Sequence, residues 1–210
     1  MVIRKPHIPL LLSFFAVLLW SGINPKDQFT WFLEVLPALI GFIVLAVTYQ
    51  RFPLTNLVYT LIVIHAAILA VGGHYTYAEV PLFDWIRDTF GQSRNNYDKV
   101  GHFAQGFIPA IIVRELFIRK NIISGSRWRN FLIVSVCLAM SAFYEFFEWG
   151  VALASGEASD AFLGTQGYVW DTQSDMLYAT IGAIAALILL SRIHDRHLAL
   201  FISSPKVQSS

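Results

Sequence analysis

Three pairs of side chains able to bind a metal ion or carry a proton stand at helical spacing in this chain. Asp98 and His102 are four residues apart, Glu145 and Glu148 three, Asp171 and Asp175 four. At those spacings two side chains share one face of an α-helix. Around the first pair, positions 98, 102, 105 and 109 fall in one narrow stripe at about 100° per residue, so Asp98, His102 and Gln105 look the same way. Carboxylates with an imidazole suit two chemistries. As ligands, His102, Glu145, Glu148 and Asp175 fit a divalent cation such as Zn²⁺, Mn²⁺ or Mg²⁺. Without a metal, crowded carboxylates resist ionising together, so an acid and a base can coexist. His102 is then the base, and Glu145, Glu148, Asp171 and Asp175 supply the acid. Asp98 orients His102, and Lys99 holds a phosphate or carboxylate of the substrate. The spacing is not the His-Glu-x-x-His of a zinc helix. A structural reading stands beside both: Asp98 and Asp171 cap helices, Lys99 pairs with Glu145 or Glu148, and His102 bonds across helices.

The elements that carry these pairs are membrane helices. Hydrophobic residues make up 56% of the chain, charged residues 14%, and mean hydropathy is +0.56. A soluble domain carries about a quarter charged residues. Six apolar runs are expected to span, at about 8–22, 31–49, 54–71, 98–118, 131–150 and 172–191, without the period-2 alternation of a barrel. The fold class is therefore all-α: one polytopic bundle over 1–200, with 201–210 as a disordered tail. The first run is short. It is taken as a retained helix, with a cleaved signal peptide as its rival. Residues 81–90 put Leu82, Phe83, Trp85, Ile86 and Phe90 on one face and Asp84, Arg87 and Asp88 on the other. This reads as a helix in the interface or as a cap packed on the bundle.

Basic residues set the orientation. With the N-terminus inside, Arg4, Lys5, Arg51, Arg119, Lys120, Arg127, Arg129, Arg192, Arg196 and Lys206 are cytoplasmic, against Lys26, Arg87, Arg94 and Lys99 outside. Both termini are then cytoplasmic, and five of the six tryptophans fall at span ends. Most acids, Glu157 among them, lie on the outer side, and only Glu115 and Asp195 lie inside. The three pairs reach the same depth, at the outer ends of their helices. Glu34, Tyr144, His74, Gln166 and Gln173 are neighbours to consider. The inner halves read as apolar apart from His65, a core histidine expected to be hydrogen-bonded. Net charge of +1 argues against a polyanionic partner such as nucleic acid. The single cysteine, Cys137, excludes an intramolecular disulfide and a cysteine-based metal site.

Several of these stretches resemble a known family. Asp98-Lys99-x-x-His102-Phe103-x-Gln105-Gly106, Glu145-x-x-Glu148-Trp149, Gly164-x-Gln166-Gly167 and Trp170-Asp171-Thr172-Gln173-x-Asp175-Met176 are similar to the bacterial YjdF-type inner-membrane proteins, along nearly the whole chain. That family has no established activity. The Asp-Lys-x-x-His-Phe pattern also resembles, over a shorter stretch, the VanZ-like proteins linked to glycopeptide-antibiotic tolerance. Here the acids of the second helix pair differ. The resemblance implies a bacterial inner membrane and one site built from the separate motifs. The expectation is an outward-facing Asp/Glu/His pocket. It belongs to an enzyme acting on a lipid-linked or amphiphilic substrate at the outer leaflet, with a divalent metal as candidate cofactor. The alternatives are a small transporter and a structural or partner protein without catalysis.

Overall fold

The computed structural model describes residues 7–155, 160–163 and 165–202. Arg4, Lys5, Glu157, Gly164, Lys206 and nearly all of the expected tail lie outside the described residues. Every regular element among the described residues is a helix. They are α1 (Ile8–Ser21), α2 (Gln28–Thr48), α3 (Asn56–His74), α4 (Pro81–Phe90), α5 (Tyr97–Arg119), α6 (Ser126–Ser155), α7 (Asp160–Leu163) and α8 (Asp171–Ile202). Four of them, α2, α3, α6 and α8, are long and apolar enough to cross a membrane. Helix α1 is apolar but has 14 residues. Helix α5 has 23 residues but carries Asp98, Lys99, Arg114, Glu115 and Arg119.

Local chemistry explains the helix ends. Asp27 caps α2, its carboxylate accepting from the Thr30 amide at 2.6 Å. Pro81 opens α4, where no intrahelical donor is needed. Gly91 closes α4 at φ 61°, a left-handed position that glycine takes without strain. Helices α6 and α8 overrun the expected 131–150 and 172–191 at both ends. Hydropathy registers only the apolar part of a helix whose backbone continues through amphipathic turns.

Helix α5 is the axis of the bundle. It packs on α3, α6 and α8, while α1 and α2 pack on α3. Its buried residues include Asp98, Lys99, Arg114 and Glu115, so its polar side chains face protein. The nearest neighbour is α8. Gly106 lies against the Ala179 carbonyl and Gly182 against the Phe103 carbonyl, and a Cβ on either glycine would overlap that backbone. Small residues permit this approach between helices in lipid, where dispersion at short range replaces the hydrophobic effect.

Helices α5 and α8 run in the same direction and are pinned at both ends. Where they begin, Lys99 meets Asp171 and Asp175. Where they finish, Arg114 donates to His194 Nδ1 at 2.9 Å and to Asp195 at 2.7 Å. Since arginine only donates, His194 Nδ1 holds a lone pair and Nε2–H donates to Glu115 at 3.0 Å. Glu115 also accepts from the Thr55 amide at 2.9 Å, the Thr55 hydroxyl at 2.7 Å and Arg119 at 2.9 Å. Glu115 and His194 are fully buried. This cluster corrects the expectation that this half of the bundle is apolar apart from His65. Between the two ends lies a dry layer including Ala104, Ile108, Ile111, Ala183 and Ala186. Lys99 and Arg114 stand about 22 Å apart along α5 at 1.5 Å per residue.

Trp20, Trp85, Trp128, Trp149 and Trp170 are exposed, as amphipathic rings at a membrane boundary would be. Helix α4 has no buried residue. It exposes Leu82, Trp85 and Phe90 and sets Phe83 edge-on to the Tyr97 ring at 5.2 Å.

Replacing Gly106 or Gly182 by leucine is expected to destabilise the protein by about 3 kcal/mol or more, because backbone must move. Gly150→Leu, in open space, should leave stability within about 0.5 kcal/mol. Thermal unfolding of the purified protein in detergent checks both.

Candidate functional site

The start of α5 and the start of α8 build the site. Arg94, in the loop before α5, donates to Asp171 at 2.5 Å and also to Asp98. Lys99 donates to Asp171 and Asp175, each at 2.7 Å, and lies 3.3 Å from Asp98. The Tyr168 ring sits 5.6 Å from the Arg94 guanidinium and 5.6 Å from the Lys99 ammonium, a favourable side for both cations. Gln166 fastens the loop before α8 to the loop before α5. Its amide oxygen accepts from the Asn95 amide at 3.0 Å, and its amide nitrogen donates to the Asn95 carbonyl at 2.8 Å. Buried Asn95 donates in turn to the Val80 carbonyl and to Asp84, each at 3.0 Å, tying α4 to the same frame.

Several expected roles change. Lys99 pairs with aspartates of α8 and its own neighbour Asp98, not with Glu145 or Glu148. Asp98 serves Arg94 and the Lys99 amide rather than orienting His102. Asp171 anchors ion pairs across elements instead of acting as a cap. His74 bonds the Ser21 carbonyl at 2.9 Å and stacks on Trp20, away from the site. Gln173 is exposed. Arg94 had been only an outer-loop base in the sequence. Its position four residues before Asp98 was the available signal.

One turn deeper, His102 on α5, Glu145 on α6 and Asp175 on α8 converge. One ligand atom from each lies within 4.8 Å of the other two. His102 Nε2 is 3.7 Å from Asp175, and Nδ1 is 3.9 Å from Glu145. Neither distance is a hydrogen bond. The bond His102 does make is to the Gln105 amide oxygen, 3.0 Å from Nδ1. An amide oxygen only accepts, so Nδ1 carries the proton and Nε2 presents its lone pair toward Asp175. Glu145 Oε1 is buried with no hydrogen-bond partner among the described residues. Asp98, Asp171 and Asp175 form a second close group, but Arg94 and Lys99 already occupy it.

Asp98, His102, Asp171 and Asp175 border a cavity of ≈ 70 Å³, room for several waters. Glu34, Tyr77, Tyr144 and Glu148 join its wall. The Tyr144 hydroxyl donates to Glu34 at 3.3 Å. Tyr77 follows α3, and burial beside Glu34 pushes its hydroxyl well above the ordinary phenol value, so it stays neutral. Two cations face three aspartates, while Glu34, Glu145 and Glu148 make no ion pair with Lys or Arg among the described residues. The site therefore holds more carboxyl groups than cations, with a small cavity beside it.

A helical bundle with several spans and a buried acidic pocket at one end defines a polytopic membrane protein. The chain belongs to the family described as "Predicted membrane protein (DUF2238)", which matches residues 6–196. It is similar to the inner membrane protein YjdF of Escherichia coli (strain K12), with 48% identity over 190 residues, covering 90% of this chain and 91% of that protein. No solved structure matches. The protein is an inner-membrane protein with several membrane-spanning helices.

Removing one partner from a buried ion-pair network strands the others. Lys99→Met and Arg94→Met should each destabilise the fold by about 3–5 kcal/mol, measured by unfolding in detergent. Lys26→Met, at an exposed pair with Glu79, should have little effect.

Proposed function

We propose that the chain crosses the inner membrane six times, with both termini cytoplasmic and the acidic pocket opening outward. We further propose that His102, Glu145 and Asp175 hold a divalent metal ion there, in an enzyme acting on a lipid-linked or amphiphilic substrate at the outer leaflet. Helix α5 is the additional span. Its charges lie in two groups, at its ends, and both face protein. Helix α1, with Pro9 in its first turn and Trp20 in its last, is the shortest. Helix α4 lies in the outer interface on its exposed apolar face. The positive-inside count supports the orientation. It is sharper than the sequence suggested, since Arg94 and Lys99 are buried in ion pairs instead of standing free outside.

The observation that carries the metal reading is the orphaned Glu145 oxygen in a group of three ligands, since one ligand atom each of His102, Glu145 and Asp175 lies within 4.8 Å of the other two. A metal-bound histidine usually donates its other N–H to a carbonyl or carboxylate, as His102 does to Gln105. A divalent ion supplies a Lewis acid and a polarised water. Glu148, three residues along α6 from Glu145 and on the cavity wall, is placed to add a ligand or accept a proton. Arg94, Lys99, Asp98 and Asp171 hold the frame. The transporter reading is weaker, because the dry layer around Ile108 and Ile111 separates the polar ends. The purely structural reading accounts for the ion-pair frame but leaves Glu145 unexplained.

Purified protein should take up about one Zn²⁺ or Mn²⁺ ion, with affinity falling as pH falls because the ligands must be deprotonated. Glu145→Gln or Asp175→Asn should weaken uptake by at least about 10–100-fold. Folded wild-type protein binding no divalent ion would refute the assignment. For topology, in a Cys137→Ser background, Gln92→Cys should react with a membrane-impermeant maleimide on intact cells and Ser124→Cys should not. The opposite pattern would invert the orientation.

A further inference from the structure

Tyr77 is held against the acidic cavity by an unusual local arrangement. Its ring lies between the end of α3 and the start of α5, where a Cβ on Gly72 or Gly101 would meet it at 2.1 Å or 2.8 Å. Thr76 and Tyr77 both take left-handed backbone, at φ 56° and 55°, which residues other than glycine rarely adopt. Two strained residues and two bare helix positions thus seat one phenol, and strain of this kind clusters at ligand sites. Tyr77 is 8% exposed and borders the cavity. Its hydroxyl has no hydrogen-bond partner among the described residues. Phenylalanine would fill the same slot, so packing accounts for the ring and not for the oxygen. The surroundings close a circuit. Gly101 precedes His102, and the His102 ring is 6.4 Å from that of Tyr144 on α6. The Tyr144 hydroxyl donates to Glu34 of α2 at 3.3 Å. The Glu34 Cβ lies 3.1 Å from where a Cβ on Gly73, next to Gly72, would stand.

We propose that this chamber binds the ammonium group of an amine, held by the Glu34 carboxylate and the Tyr77 hydroxyl oxygen. This deepens the proposed substrate class and rests on that reading only in making the amine part of a substrate. Charge selects the ligand. Glu34, Asp98, Glu148, Asp171 and Asp175 border the cavity, and among the described residues no Lys or Arg does. Arg94 and Lys99 are engaged with the aspartates. Glu34, 6% exposed, has the neutral Tyr144 hydroxyl as its hydrogen-bond donor and no ion pair among the described residues. A buried carboxylate is costly until a cation joins it. Even a divalent ion on His102, Glu145 and Asp175 leaves carboxyl groups in excess of positive charge, so an anion is disfavoured beside Glu34. An alkylammonium group brings one positive charge and three N–H donors. Glu34 and Tyr77 accept two of them, and Glu148 on the same wall is available to the third. Aromatic rings beside carboxylates are a usual setting for organic cations. A cavity of ≈ 70 Å³ admits an ammonium group with the first carbons of its chain.

The test is titration of the purified protein in detergent with butylammonium chloride, read by saturation-transfer NMR on the ligand. Butyrate and butanol, of the same chain length, are the controls. Butylammonium should bind at least about 10-fold more tightly than either, the ratio expected from one charge-assisted hydrogen bond. Glu34→Gln should weaken it by at least about 10-fold and Tyr77→Phe severalfold, since each removes an acceptor while keeping side-chain shape. An unchanged melting temperature confirms the fold of each variant. Asp88→Asn, at an exposed acid of α4, should leave the affinity as it was. No binding of butylammonium to folded protein would overturn the proposal. Equal binding of butyrate or butanol would do the same, as would full affinity in folded Glu34→Gln protein. Protein stripped of metal with EDTA should still bind butylammonium in a Glu34-dependent way, so a failed metal assignment is distinguishable from an absent ammonium site. Reconstitution separates a lipid head group from a free amine. Vesicles of phosphatidylglycerol are mixed with phosphatidylethanolamine or, at equal surface charge, with a neutral glycolipid. Severalfold weaker butylammonium binding in the first assigns the site to the lipid amine, and equal binding assigns it to a free one.

Discussion

The backbone contact between α5 and α8 governs this molecule. Two glycines, Gly106 and Gly182, let each helix press against a carbonyl of the other. At that separation short side chains reach across. Lys99 can then touch two aspartates of α8 at once, and Arg114 can touch His194 and Asp195 at the opposite end. A wider spacing would leave these charges in a low-dielectric setting without partners, at several kcal/mol each. The glycines and the ion pairs therefore depend on each other. Because α5 and α8 run in the same direction, their first turns end at one level, and α6 brings Glu145 to that level from the other side.

Much of the architecture was legible in the sequence, and the reason is physical. Long apolar runs, basic loops and tryptophans at run ends all report on a bilayer, and each expected run falls on a helix. The shared depth of Asp98, His102, Glu145 and Asp175 was legible for the same reason, since distance from a span end converts directly to depth. Partner choice was not. Spacing says which side chains share a face of one helix, but not how that helix is rotated against its neighbours. So Lys99 was assigned to glutamates of α6 when it faces aspartates of α8, and Asp98 was assigned to His102 when it faces Arg94. Arg94 was overlooked because it precedes the helix start. Glu115 and His194 were overlooked because each stands alone in its own segment, and only the approach of α5 to α8 makes them a pair.

The two polar clusters differ in kind. At the end where α5 and α8 finish, Glu115, His194, Arg114 and Thr55 satisfy one another, a closed network suited to holding helices in register. At the end where they begin, the frame made by Arg94, Lys99, Asp98 and Asp171 is likewise closed, but His102 and Glu34 border a cavity and Glu145 Oε1 has no hydrogen-bond partner among the described residues. Rigid surroundings with open ligating atoms are what a binding site requires.

The central claim is that α5, α6 and α8 aim His102, Glu145 and Asp175 at one point. X-ray absorption of the Zn²⁺-loaded protein measures this directly. The expected result is a shell containing one imidazole nitrogen with carboxylate oxygens, all at about 2.0–2.2 Å from the metal. A shell of oxygens alone, in protein that keeps its fold, would mean that the three side chains do not share a centre.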